Sequence, residues 1–226
     1  MEIQPLFSSL LNQPIIIAID GPAGAGKSTI ARSLARRLGY TYIDTGAMYR
    51  AVGLWALRLS IAPDDMIRLE QLAREARIEF ENGRVILNGE DVTEAIREPD
   101  VTEMASRVAA CPGVRRAMRE EQRRIGMNGN AVMEGRDIGT VVFPEARIKV
   151  FLDASESERS RRRAAELGSP VEQVARELSG RDRRDRTRAE APLAQAPDAD
   201  YIDSSRLTPE QVEEAILKLV RERTSN

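Results

Sequence analysis

The sequence predicts an α/β fold: a parallel five-stranded sheet flanked by helices, with a small β-containing insert and a short lid. Three observations predict it. Short apolar runs alternate with longer helical patterns along the 226 residues. The runs Thr41–Asp44, Ala131–Glu134, Ile148–Asp153 and Tyr201–Asp203 each end in an acidic residue. The first run, Ile15–Asp20, continues instead into Gly21-Pro22-Ala23-Gly24-Ala25-Gly26-Lys27-Ser28, which reads G-x-x-x-x-G-K-[ST] and opens a helix.

Taken in order, the first apolar run and the loop give strand, glycine turn and helix, the context this phosphate-binding pattern requires. Ile30, Ala31, Leu34, Ala35 and Leu38 lie on one face of the helix, and Gly39 stops it. After the second run, Thr45 is the expected N-cap of a helix that carries Arg50. Residues 62–98 break the alternation. Arg77–Phe80 and Arg84–Leu87, separated by Glu81-Asn82-Gly83 and followed by Asn88-Gly89, read as an antiparallel hairpin or meander lying over the sheet's edge. Gly135 permits a tight turn after the third run and turns Arg136 and Asp137 toward the strand ends, where such sheets bind ligands. Ser155 with Glu158, and Ser169 with Glu172 around Pro170, read as capping boxes, and Thr208-Pro209-Glu210-Gln211 opens the last helix. Arg159, Arg161, Arg162 and Arg163 form a closing lid over a triphosphate, within about residues 155–180. The same four arginines also fit an exposed basic face.

Composition bounds the chemistry. Apolar residues make up 42 % and aromatics 4 %, so the core is aliphatic. The net charge of −2 does not suit a nucleic-acid binder. There is no histidine, which excludes histidine bases, Ser-His-Asp triads and histidine metal sites. Cys111 is the only cysteine, which excludes an internal disulfide, and it is expected as a small buried side chain. No run is long and apolar enough to span a membrane. Residues 1–13 have no basic stretch or cleavage site and read as a frayed extension, so the expected compartment is the cytoplasm.

Gly21 through Thr29 would cradle a nucleoside triphosphate, with Lys27 on the outer phosphates and the Ser28 hydroxyl on Mg²⁺. Only three lysines occur, Lys27, Lys149 and Lys218, against a large set of arginines. Genome composition explains that bias, yet a lysine kept in the loop fits a specific task. In 181–188, a helix would bring Arg181, Arg184, Asp185 and Arg188 to one face. A salt-bridged, solvated face is the plainer reading of such a run in isolation. Beside a phosphate loop, the guanidinium forks read as phosphate ligands.

Four segments taken together resemble the bacterial cytidylate kinases: the loop 21–28, Asp44-Thr45-Gly46-Ala47-Met48-Tyr49-Arg50, Gly135-Arg136-Asp137-Ile138-Gly139-Thr140-Val141-Val142-Phe143-Pro144, and Arg181 to Arg188. The resemblance runs from about residue 14 to the last helix. It implies a P-loop NTPase fold with core residues 14–61 and 99–226, and a nucleoside monophosphate-binding insert at 62–98. It implies ATP-dependent phosphorylation of CMP and dCMP, with Mg²⁺, by a cytoplasmic monomer that binds neither nucleic acid nor membrane. Arg50 and Arg136 would hold the acceptor phosphate, while Ser106, Arg115 and Asp137 would read cytosine. Thr45, Arg181 and Asp185 would lie around the sugar, and Arg188 near the phosphates. Lys27, Arg136 and Arg188 would be the catalytic cations. Thr45 stands where serine is common and Glu134 where aspartate is common. The stretch between Asp153 and Arg181 is short, which bears on the lid. A kinase for another small molecule is one rival, opposed by the base-reading set. A nucleotide-dependent switch is another, opposed by the lack of an N-K-x-D sequence.

Overall fold

The structure, a computed structural model, describes residues 14–81 and 83–224. The N-terminal extension and Asn82 of the hairpin turn lie outside the described residues. In chain order the elements are β1 (Ile16–Asp20), α1 (Lys27–Leu38), β2 (Thr41–Asp44), α2 (Thr45–Arg58), α3 (Met66–Glu75), β3 (Ile78–Glu81), β4 (Arg84–Leu87) and β5 (Glu90–Asp91). They continue with α4 (Pro99–Val108), α5 (Pro112–Gly126), β6 (Ala131–Gly135), β7 (Ile148–Asp153), α6 (Glu156–Leu167), α7 (Val171–Thr187), β8 (Asp200–Asp203) and α8 (Pro209–Thr224). A 3₁₀ turn covers Ala95–Arg97, and a π-helical turn covers Ile138–Val142.

The main sheet has the order β2-β6-β1-β7-β8, with every pairing parallel. β1 is central and buried at all five residues, as its unbroken apolar run requires of a strand covered on both faces. Register brings Asp20 level with Gly135, and Asp44 level with Glu134, so the carboxyl ends of β1, β2 and β6 form one floor. On one face Ile17, Ile19, Val150 and Leu152 pack against Ile30 and Leu34 of α1 and Val212 and Ile216 of α8. On the other, Ile16, Ala18, Ile43 and Met133 meet Ile138 and Val142 of the π-helical turn.

The 62–98 segment is an antiparallel three-stranded sheet, β3-β4-β5, with α3 before it. Phe80 of β3 packs against the cluster that includes Ile43 of β2, an edge strand of the main sheet. Leu69, Ile78, Leu87 and Val92 share a core with Met48 and Val52 of α2, Met104 of α4 and Met118 of α5. The reason lies in α2, which buries Ala47, Met48, Ala51, Val52, Leu54 and Ala56 and so has apolar surface to offer beyond the sheet. Cys111 is buried in this core as an unpaired thiol, as expected.

Two caps differ from the sequence reading. The N-cap of α2 is Asp44, whose carboxylate accepts from the Ala47 amide at 2.9 Å; Thr45 is inside the helix, and its hydroxyl donates to the Glu134 carbonyl at 2.7 Å. A charged acceptor at the strand end outcompetes the hydroxyl for the free amides. Pro170 itself is the N-cap of α7, with no side-chain cap bond, so Ser169 and Glu172 form no capping box. Ser155 caps α6 through the Glu158 amide at 3.3 Å, but Glu158 turns its carboxylate to Arg161 and Arg162. At α8 the exchange is complete: Gln211 N donates to Thr208 Oγ1, and Thr208 N donates to Gln211 Oε1.

Candidate active site

The glycine loop joins β1 to α1, and Gly21 and Gly24 show why its shape requires glycine. At Gly21, φ is +149° and a Cβ would lie 1.9 Å from the Leu152 carbonyl oxygen. At Gly24, φ is +78° and a Cβ would press on the backbone of Arg159 at 3.1 Å. The turn lets α1 start at Lys27, which leaves the first amides of the helix without intrahelical partners at the floor of a cleft of about 520 Å³.

Lys27 is buried, and its ammonium donates to the Pro22 carbonyl at 2.7 Å. Burial, and then the nearby Arg136 guanidinium, pull its pKa down to about 7 against the opposing charge of Glu134. Ser28 and Thr29 line the same cleft. The opposite wall carries Arg50, Arg136 and Arg181. Arg50 pairs with Asp44 at 2.9 Å, and Arg136 with Asp185 at 2.9 Å. The Arg181 side chain makes no hydrogen bond or ion pair among the described residues. Burial, followed by repulsion from Arg136, lowers its pKa to about 10. This wall therefore holds more positive charge than its own carboxylates neutralise, and that is an anion site.

Arg161, Arg162 and Arg163 reach the cleft from α6, while Arg159 does not. Arg159 is buried; its guanidinium donates to Asp182 of α7 at 2.5 Å and to the Ala23 carbonyl at 3.0 Å. Asp182 in turn accepts from the Ala23 amide. Arg159 is thus the bolt that joins α6 and α7 to the phosphate loop, and it is unavailable to a triphosphate. Gly135 also differs in its reason. Its φ is not left-handed, and it is small because a Cβ would strike Ile138 at 2.7 Å and the Thr45 hydroxyl at 2.8 Å.

Behind the cleft lies a second, buried group of charges. Arg115 donates to Asp137 at 2.7 Å and stacks over the Tyr49 ring at 5.4 Å. Arg188 lies 3.5 Å from both Asp137 and Asp185 and donates to the Ala191 carbonyl at 2.7 Å. Ser106 accepts from Arg184, on the same helix as Asp185, at 3.0 Å. The structure so unites Arg115, Asp137, Asp185 and Arg188. It holds Arg188 away from the wall of the phosphate cleft, where the resemblance implied it would be. Arg115 Nε and Arg188 Nη2 are buried without hydrogen-bond partners, which leaves donors free for a polar ligand.

Asp20 and Glu134, read from the sequence only as strand-end candidates, and Ser204, which the sequence did not single out, also contribute. Asp20 accepts from the Ile138 and Gly139 amides at 2.8 and 2.7 Å, and its pKa is pushed up to about 6, chiefly by burial. Glu134 accepts from the Tyr42 hydroxyl at 2.5 Å; burial, then Asp44, raise its pKa while Lys27 opposes them. Ser204 bonds the Ala25 carbonyl and receives Arg162. Their one shared signal is position at a strand's carboxyl end, since their partners are distant in sequence.

A divalent cation fits this donor set in one way. Among the described residues no cluster of three carboxylates, cysteines or histidines could hold a metal by itself. The Ser28 hydroxyl and the Glu134 carboxylate line the same cleft, and offer hard oxygen atoms that phosphate oxygens and water would complete. No helix among the described residues is long and apolar enough to cross a membrane.

Comparison with known proteins agrees with this geometry. A family model described as Cytidylate kinase matches residues 17–222. The chain is 60 % identical over 219 residues to the cytidylate kinase of Solibacter usitatus, covering 94 % of each chain. It is 48 % identical over 222 residues to the cytidylate kinase of Syntrophotalea carbinolica, again covering 94 % of each. An uncharacterized protein of Eubacterium ventriosum shares the fold, with a TM-score of 0.56 at 14 % identity over 93 % of this chain and 100 % of that one. The glycine loop, the arginine wall and a match along almost the full sequence lead to one conclusion: the chain belongs to the cytidylate kinase family.

Proposed function

We propose that the chain transfers the terminal phosphoryl group of ATP to CMP and dCMP, giving ADP with CDP or dCDP, as a step of pyrimidine nucleotide metabolism. The observation that carries this reading is a single cleft with the phosphate loop on one wall and the under-neutralised Arg50, Arg136 and Arg181 on the other. A donor triphosphate lies along Gly21 to Thr29. The acceptor phosphate lies against Arg50 and Arg136, and its oxygen attacks the donor's terminal phosphorus. That oxygen is already anionic near neutral pH, so the reaction needs no strong base, and a chain without histidine can perform it.

The work of the protein is alignment and neutralisation of charge. Lys27 exchanges its bond to Pro22 for a phosphate oxygen, which relieves the cost of its burial. Ser28 would be the protein ligand of Mg²⁺, and the ion when bound would supply neutralisation of the developing phosphate charge. Arg181 contributes a cation that the resting protein leaves unpaired, and with Thr45 and Asp185 it borders the acceptor sugar. Arg115, Asp137 and Ser106 read the base: a carboxylate accepts from the cytosine amino group, and a guanidinium donates to the N3 and O2 side. Arg188 leaves Asp137 and turns to the phosphates as the acceptor displaces it.

Residues 14–61 and 99–226 form the kinase core, 62–98 the monophosphate-binding insert, and about 155–180 the lid. The protein works as a monomer in the cytoplasm. The deciding experiment is an acceptor panel of CMP, dCMP, UMP, AMP and GMP, each with MgATP. ADP formation driven by CMP and dCMP well above the others is the expected result. Equal rates across the panel, or ADP release independent of the acceptor, would overturn the reading.

A further inference from the structure

Asp20 is the last residue of β1 and immediately precedes the phosphate loop. It is 5 % exposed, and both its oxygens are engaged, Oδ1 by the Ile138 amide at 2.8 Å and Oδ2 by the Gly139 amide at 2.7 Å. Those amides open the π-helical turn that follows Arg136 and Asp137. One carboxylate therefore ties the base of the donor loop to the turn that presents the acceptor-side residues. No other side chain among the described residues hydrogen-bonds to the Ile138 or Gly139 amides. The contact is close-fitted as well. A Cβ on Gly139 would meet the Lys149 side chain at 3.2 Å and Asp20 Oδ2 at 3.4 Å, so the turn has little room to shift. Lys149 is held in turn by the Pro144 carbonyl and by Asp198, which fixes the far end of the same segment.

A buried carboxylate is a costly tie, because desolvation opposes its charge. What it offers is a two-point clamp on consecutive amides, which an amide or hydroxyl side chain cannot reproduce: asparagine would set its NH₂ against one of the two N–H groups. Phosphoryl transfer depends on the separation and angle between donor phosphorus and acceptor oxygen, and a displacement of about 1 Å can cost about 10²-fold in rate.

We propose that Asp20 is a positioning residue for the acceptor: its carboxylate fixes the base-reading turn against the phosphate loop, and so sets both the alignment of the two substrates and the discrimination between cytosine and uracil. This rests on the assignment of Asp137 as a base reader. Asp20 touches neither substrate and acts through the turn.

The test compares wild type with Asp20→Asn, Gly139→Ala and Asp137→Ala, using kcat/KM for CMP and UMP, KM for ATP, and hydrogen exchange of the Ile138 and Gly139 amides. Gly139→Ala keeps the carboxylate and disturbs the same contact from the other side. In Asp20→Asn the CMP/UMP ratio should fall about tenfold or more, with KM for ATP within about twofold of wild type. The two amides should exchange faster, and Gly139→Ala should move the ratio the same way. A lower melting temperature with an unchanged ratio would overturn the proposal and leave Asp20 a structural tie. If Asp20→Asn does not fold, Gly139→Ala decides: a fallen ratio supports the proposal and an unchanged one overturns it. If Asp137→Ala lowers the ratio and the other two variants do not, only the proposal fails. If Asp137→Ala leaves it unchanged, the base-reading assignment fails and the proposal with it.

Discussion

Lys27 is held in a position that water would not choose for an ammonium group. It is buried, its one direct partner is a carbonyl of its own loop, and the nearby guanidinium of Arg136 opposes its charge. Removing it should therefore spare the fold and spoil the reaction. Lys27→Ala is expected to lower kcat by about a hundredfold or more, the scale of losing one stabiliser of developing charge, with a melting temperature equal to or above that of wild type. Lys27→Arg should not restore the rate, because the buried loop fits a compact ammonium and not a planar fork. Steady-state kinetics beside a melting curve check both, and near-normal turnover in a folded Lys27→Ala protein would contradict the role. Asp20 gives a prediction of the opposite kind, in stability. Its carboxyl ionises near 3.8 when unfolded and at about 6 in the fold. Between those values the unfolded chain holds fewer protons, so this residue's contribution to stability falls as pH rises through the window. A shift of about two units corresponds to about 3 kcal/mol. The stability of wild type relative to Asp20→Asn should therefore drop by up to about 3 kcal/mol between about pH 4 and about pH 7, as read by urea denaturation at a series of pH values. A difference that does not move with pH would show that burial is not what raises this group.

The elements show what a sequence can reveal and where it stops. All five strands of the main sheet lie within one residue of the runs read from the sequence: β1, β6 and β7 are buried almost throughout and so mostly apolar, while the partly exposed edge strands β2 and β8 keep only a short apolar stretch before their acidic ends. The loop was legible for a similar reason, since its spacing is dictated by its own backbone. The Asp44 cap was harder, because two adjacent residues could both cap and only the backbone conformation decides. The placement of 62–98 depended on the breadth of α2's apolar surface, a property of the packed helix. Arg159 fits neither a cation of a lid nor an exposed basic face, because its partner Asp182 is on another helix and the sequence shows only a run of charged neighbours. That pair supplies the element-scale prediction. Arg159 and Asp182 are about one-tenth exposed, and their partner backbone at Ala23 is in the phosphate loop. Asp182→Ala would leave a buried guanidinium without counter-charge and should cost about 3–5 kcal/mol in denaturant unfolding. A cost under about 1 kcal/mol, the scale of an exposed pair, would mean that the bolt is solvated and does not join the lid to the loop.

At the scale of the whole molecule the problem is water. A site that aligns an anionic oxygen with ATP also offers ATP to water, and the cleft must close if transfer is to prevail over hydrolysis. Two bodies can close it. Residues 62–98, the proposed insert, share a core with α2, α4 and α5, and α6 and α7, the proposed lid, are bolted to the loop through Arg159 and Asp182. Of the two, only the lid contributes cations directly to the donor side of the cleft: Arg161 and Arg162, both steered by Glu158, and Arg163. Loosening the bolt without deleting its hydrogen-bonding capacity should therefore impair closure more than binding. Asp182→Asn keeps an acceptor for the Ala23 amide but removes the charge that holds Arg159. The expected result is a rise in ADP released per CDP formed, from about one in the wild type toward a clear excess in the variant, with KM for ATP little changed. Parallel assays of ADP and CDP at saturating substrates give that ratio directly. A ratio that stays near one while kcat falls would mean that the helices position the donor and do not exclude water. The exclusion would then belong to the insert, and variants in the shared core around Leu69 and Ile78 would be the ones that leak.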